Sequence, residues 1–226
     1  MSFTVICSGC GAPSSPSVGI CPFCKTVMAS SGGEDKQSLD VLIKLYADGK
    51  LERALSLGNA MYKEKPQLKK DLLFVLTFVK VLLDSEAPSS RIRSLLAEAH
   101  LANPESTDLA DYLEILDAKN NLKKGLNDAG EVTLKNLLRR SPNNVHARFI
   151  LGAHLFWSDS ESAMAIPHLE TCVRLHPNFL RAWGCLGAIY KKMGNPQLAE
   201  MAFQKCAELE TDQNWKEFFQ KQAKAG

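Results

Sequence analysis

An all-α chain of repeated helical hairpins, preceded by a small metal-bound module, is the fold that the 226-residue sequence predicts. Three observations carry this. Four of the seven cysteines, Cys7, Cys10, Cys21 and Cys24, form two C-x-x-C pairs near the N-terminus. Downstream, prolines recur at Pro66, Pro104, Pro142 and Pro177, with Thr211 in the next place, in steps of 38, 38, 35 and 34 residues. Small and apolar residues recur at fixed distances before each of these positions, on one helix face.

The composition sets the frame. Hydrophobic residues make up 45% and charged residues 23%, ordinary globular usage that excludes a disordered chain. The longest apolar run, Leu72 to Leu83, includes Thr77 and Lys80 and falls short of the ~20 residues that span a bilayer. The opening residues have neither the basic nor the apolar region of a signal peptide, so a cytoplasmic location is expected. A formal net charge of +2 argues against a polyanion binder. Four thiolates and one Zn²⁺ would bring it to zero.

The metal module comes first. Two C-x-x-C turns separated by ten residues supply four soft thiolates that converge on a tetrahedral ion. Gly11 follows the first pair, where a knuckle turn favours positive φ, and Pro22 pre-sets the second. Residues 1–28 resemble a small zinc ribbon with a short spacer. A disulfide pair is disfavoured in a non-secreted chain, and a thioredoxin-type site needs one C-x-x-C on a βαβ unit. Iron of the rubredoxin kind uses the same ligands, so the residues fit zinc or iron. With every coordination position taken by protein, the metal is structural and leaves no site for catalysis. The only charge between Met1 and Gly33 is Lys25, too little for phosphate binding, whereas Val5, Ile6, Ile20, Phe23, Val27 and Met28 form an apolar coat suited to docking on protein.

Residues 29–37 are small, polar and glycine-containing, and read as a linker. The repeats then occupy 38–210. Pro142-Asn-Asn-Val-His-Ala-Arg-Phe-Ile-Leu-Gly-Ala153 matches Pro177-Asn-Phe-Leu-Arg-Ala-Trp-Gly-Cys-Leu-Gly-Ala188 at a shift of 35. Twelve residues before each marker lies Ala54, Ile92, Gly130, Ala165 or Ala199. Eight before lies Gly58, Leu96, Leu134, Leu169 or Phe203, and five before lies Met61, Ala99, Leu137, Cys172 or Cys206. These columns describe the second helix of each hairpin, which the proline ends. Residues 211–226 read as a terminal cap helix, with Trp215, Phe218 and Phe219 covering the last repeat.

Trp183, Leu186, Gly187, Tyr190, Ala199 and Phe203 have the spacing of the tetratricopeptide repeat (TPR). The resemblance implies a right-handed α-solenoid of about five hairpins, clearest in the last two units. Arg148 stands where the pattern has Trp, and Thr211 where it has Pro. The two 38-residue units need longer helices or turns.

No phosphate loop, nucleophile elbow or H-E-x-x-H motif is present, so no enzyme is expected. His168, Cys172 and His176 share a helix face, but Cys172 sits in a packing column and reads as a small buried hydrophobe, as do Cys185 and Cys206. The TPR resemblance places the first helix of each unit on a concave binding groove. Leu39, Ile43 and Tyr46 would line it from unit one, Leu73, Thr77 and Lys80 from unit two, and Ile115 from unit three. Unit four would add His146, Phe149, Ala153 and Phe156, and unit five Arg181 and Lys191. Phe149 and Ala153 stand where a clamp for chaperone C-terminal carboxylates would carry polar residues, so a segment with hydrophobic anchors and an acidic end fits better. A one-residue error in register would turn each helix by about 100° and bury these aromatics. The function expected is therefore a non-enzymatic adaptor that binds a protein or peptide. The alternatives are a nucleic-acid-associated factor acting through the ribbon, or an accessory subunit of an enzyme complex. The helix from Leu72 to Leu83 is apolar nearly all round, enough to hold the ribbon, a partner or a second copy of the chain in a homo-oligomer.

Overall fold

The structure is a computed structural model and describes residues 5–6, 13–14, 33–158 and 162–224. Cys7, Cys10, Cys21 and Cys24 lie outside the described residues. Near the N-terminus, β1 (Val5–Ile6) pairs antiparallel with β2 (Pro13–Ser14), with Val5 opposite Ser14. Eleven helices follow among the described residues. Five hairpins comprise α1 (Gly33–Ala47) with α2 (Leu51–Glu64), α3 (Leu72–Asp84) with α4 (Ser89–Ala102), α5 (Thr107–Lys123) with α6 (Asn127–Arg140), α7 (Val145–Trp157) with α8 (Ser162–Leu175), and α9 (Leu180–Lys192) with α10 (Pro196–Leu209). The last helix is α11 (Gln213–Lys224). The chain forms two compact units, one reaching Leu109 and the other beginning at Ala110, with Ala47–Gly49 assigned to the second.

Three features of the hairpins follow directly from sequence. Gly49, Gly125 and Gly194 take left-handed φ in the turns between paired helices, and the bond from Asn195 N to the Tyr190 carbonyl closes the last of these as a six-residue C-cap. The second 38-residue step accommodates a long α5, 17 residues against 13 in α3, α7 and α9. The first accommodates an added 3₁₀ turn, Pro66–Lys70. All fifteen residues of the three second-helix columns are buried, from Ala54, Gly58 and Met61 in α2 to Ala199, Phe203 and Cys206 in α10. The repeat register is therefore correct for the second helices.

In the first unit, Asp71 caps α3 by accepting from Phe74 N at 2.8 Å, and the helix then buries every residue from Phe74 to Asp84 except Lys80. Phe78 packs across Gly58 so tightly that a β-carbon there would lie 2.5 Å from the ring. The near-continuous apolarity of α3 is thus consumed by packing. Asp84 accepts from Tyr46 Oη at 2.8 Å, and burial holds the Lys80 ammonium below its ordinary value against the opposing pull of Asp108 and Asp84.

Two expectations need correction. α1 begins at Gly33, so the last five residues of the expected linker at 29–37 are helical; Lys36 and Gln37 are good helix formers that the preceding glycines obscure. The aromatic stripe of the cap helix is not core. Trp215 is 57% and Phe218 44% exposed, and of the three aromatics Phe219 is the one whose ring stacks on the last repeat, 6.4 Å from Phe203. Among the described residues no helix is long and apolar enough to cross a membrane.

Candidate functional site

The second unit presents the first-helix faces of α5, α7 and α9, where the expected binding residues of units four and five stand. Asn144 starts α7 by accepting from Ala147 N at 3.1 Å, which sets His146 and Phe149 one turn apart on a single face. Arg148 donates from Nε to the Pro142 carbonyl at 2.7 Å, and Trp183 donates from Nε1 to the Pro177 carbonyl at 2.8 Å. The two side chains are 35 positions apart and make the same bond to the proline six residues earlier. Arg148 therefore replaces the tryptophan of the repeat without loss of this turn-closing contact.

The structure places His146 and Phe149 inside the face instead of on it. His146 is 5% exposed, with Nδ1 3.4 Å from Tyr112 Oη on α5. Phe149 is 6% exposed and packs against Phe179 at 4.7 Å between ring centroids. Phe179, the residue before α9, also meets the His146 ring at 6.1 Å. An aromatic row from Tyr112 through His146 and Phe179 to Phe149 thus links units three, four and five. These rings are packing residues, and the expectation that His146 and Phe149 serve as free anchors is corrected. The repeat columns include neither Tyr112 nor Phe179; Phe179 falls at the position of the Asn144 cap, 35 residues on.

Three of the five expected residues keep surface. Arg181 is half-buried and lays its guanidinium over the Phe149 ring, 4.7 Å from the centroid. Phe156 is half-buried beside Trp157, at 4.9 Å, and Trp157 is 77% exposed. Lys191 is exposed and donates from Nζ to Gln222 Oε1 on α11 at 2.9 Å. The accessible face therefore combines an arginine held on an aromatic platform with the half-buried Phe156.

The support behind this face is polar but closed. Asp111, buried on α5, accepts from Arg140 Nε at 3.1 Å and from Ser141 Oγ at 2.6 Å, tying α5 to the end of α6. Tyr190 Oη donates to Glu170 Oε1 at 2.8 Å, and burial together with that carboxylate pushes the phenol up to about 12. Cys172 donates to the Val145 carbonyl at 3.3 Å and Cys206 to the Leu180 carbonyl at 3.7 Å, the equivalent bond one repeat later. Burial pushes the Cys185 thiol up to about 11 and Cys206 to about 12, so both remain protonated at neutral pH. Burial, then Arg148 and Lys135, lowers the His168 imidazole, whose Nδ1 is enclosed without a hydrogen-bond partner. Among the described residues no three His, Cys, Asp or Glu side chains converge as metal ligands.

Comparison with protein-family models finds no match, and comparison with curated proteins finds no similar sequence. Solved structures do match. A tetratricopeptide repeat protein from Parabacteroides merdae is 12% identical with a TM-score of 0.52, over 84% of this chain and 71% of that one. MamA is 19% identical with a TM-score of 0.42, over 75% of this chain and 94% of that one. YrrB, described as a TPR protein with an unusual peptide-binding site, is 16% identical with a TM-score of 0.43, over 81% of this chain and 90% of that one. The likeness to the Parabacteroides protein, together with the buried repeat columns, identifies the fold as a TPR-type α-solenoid.

Proposed function

We propose that this chain is a non-enzymatic adaptor that captures a protein or peptide segment on the first-helix face of its second unit. The observation that carries the reading is the Arg181 guanidinium seated at 4.7 Å over Phe149 while remaining half-exposed. An arginine fixed in this way loses less conformational freedom when it pairs with a carboxylate, and its fork suits bidentate recognition. Phe156 supplies apolar surface on the same helix as Phe149. The ligand that fits is an extended or helical segment with a hydrophobic anchor and an acidic end. The test is affinity capture from the source cell with wild type, Arg181→Glu and Phe156→Ala, alongside thermal melts. The reading expects one or more partners lost from both variants while each stays folded, with its midpoint lowered by only a few degrees. The same partners retained by both would refute it.

The N-terminal module belongs to the same proposal. Cys7, Cys10, Cys21 and Cys24 form an all-thiolate donor set that suits one tetrahedral zinc, or iron, with no open position. The pairing of β1 with β2 supports this, because the connection between those strands contains Cys7 and Cys10. The metal would hold a segment of about 25 residues that has too little core of its own. Elemental analysis should find one metal per chain. Cys7→Ser with Cys10→Ser should remove it and leave the far-UV circular dichroism of the repeats nearly unchanged. Metal-free protein with intact disulfides would overturn the assignment.

A further inference from the structure

The cleft between α10 and α11 carries two rows of opposite charge. It is open, about 390 Å³ in volume, with Glu200, Gln204 and Glu208 on the α10 side and Lys216, Gln220 and Lys224 on the α11 side. Each trio is spaced i, i+4, i+8, so each forms one line along its helix. Ala207 and Ala223, both buried, form the floor between them. Glu200 accepts from Gln204 through Oε1 at 2.9 Å and Glu208 from Lys205 through Oε2 at 2.8 Å, which leaves the other oxygen of each carboxylate for an outside partner. Among the described residues no ion pair crosses the cleft, and Lys216 and Lys224 have no side-chain partner. Next to Glu200 on α10, Met201 is 51% exposed.

We propose that this face binds a second copy of the same chain about a two-fold axis, the acidic row of one copy lying against the basic row of the other. In a two-fold contact, residue i meets residue j and j meets i. A surface with an acidic and a basic row side by side is therefore complementary to its own rotated image. A helix of single charge would satisfy one wall only. The alanine floor permits close approach, and Met201 contributes apolar cover at the edge. Two helices about 20 Å long and about 10 Å apart offer on the order of 400 Å² per copy. That lies at the low end for specific association, so the dimer is weak, concentration-dependent and sensitive to salt. The contact is independent of the groove reading above.

Sedimentation equilibrium of the full chain tests it, from low to high micromolar concentration and at low and high salt. Wild type should move from the monomer mass towards twice that mass as concentration rises, and salt should reverse the shift. Lys216→Glu with Lys224→Glu makes both rows acidic, and Glu200→Lys with Glu208→Lys makes both rows basic. Each double variant should remain monomeric, whereas an equimolar mixture of the two should dimerise. Circular dichroism confirms that the variants are folded, since all four side chains line an open cleft. Wild type monomeric throughout, variants that associate like wild type, or a mixture that stays monomeric would each overturn the proposal. Should a variant not fold, association of the wild type unaffected by salt overturns it equally.

Discussion

Replacing Phe149 with Ala should destabilise the fold far more than replacing Phe156 with Ala, although both aromatics lie on α7 seven residues apart. Phe149 is 6% exposed and wedged between the Phe179 ring at 4.7 Å and the Arg181 guanidinium at 4.7 Å. Truncating a buried Phe costs about 3–5 kcal/mol once the residual cavity is included. Loss of the cation–π contact adds roughly 0.5–1 kcal/mol at a half-exposed site. A total of about 5 kcal/mol lowers the melting temperature by some 10–20 °C, at about 2–4 °C per kcal/mol for a chain of this size. Phe156 is half-buried, and its loss should cost about 1–2 kcal/mol from the smaller apolar area removed from water. Thermal melts by circular dichroism at matched concentration read both values. Arg181→Gln serves as the control and should shift the midpoint by only a few degrees. Equal and small shifts for the two Phe variants would mean that Phe149 is not the packing residue described here.

Two further outcomes follow from the packing and the ionisation. Gly187→Ala places a β-carbon 2.7 Å from Phe203 Cε1, and overpacking of about 1–3 kcal/mol should exceed the roughly 1 kcal/mol gained in helix propensity; the melt should fall, and Phe203→Leu should recover part of the loss by freeing space. His168 is held below its ordinary value of 6.5 by burial and by Arg148 and Lys135, so its contribution to stability is present above about pH 6.5 and lost as pH falls below it. His168→Gln should flatten that part of the melting-temperature profile, and an unchanged slope would show that His168 does not titrate as described.

How much of this was legible in the sequence depends on how local each signal is. The second helices were readable because small and apolar columns repeat before each proline marker, and all fifteen predicted positions are buried. The Arg148 substitution read as a departure from the repeat pattern, yet its Nε makes the bond that Trp183 makes one repeat later. A pattern records residue type, whereas the turn requires only a donor of the right reach. The first-helix face was less legible. His146 and Phe149 have the spacing of groove residues, and what buries them is Phe179 from the following unit together with Tyr112 from the preceding one. Contacts between repeats are set by side-chain size at single positions, which periodicity does not record. The cap helix misled for a related reason. Trp215 and Phe218 have the spacing of a buried stripe, but α11 leaves both exposed and meets the last repeat through Phe219, Gln222 and the buried Ala223. Spacing shows that residues share a face and leaves open how much of it a neighbour covers.

Site-specific photo-crosslinking in the source cell tests the central claim, capture on the first-helix face of the second unit, most directly. A benzophenone amino acid replaces Phe156 in one strain and Val132, a 55% exposed residue on the second helix α6, in another. Phe156 tolerates an aromatic replacement because it is only half-buried. The account predicts a discrete protein adduct from position 156 that Arg181→Glu abolishes, with none of the same mass from position 132. An adduct of the same mass from position 132, or one from 156 that survives Arg181→Glu, would contradict it.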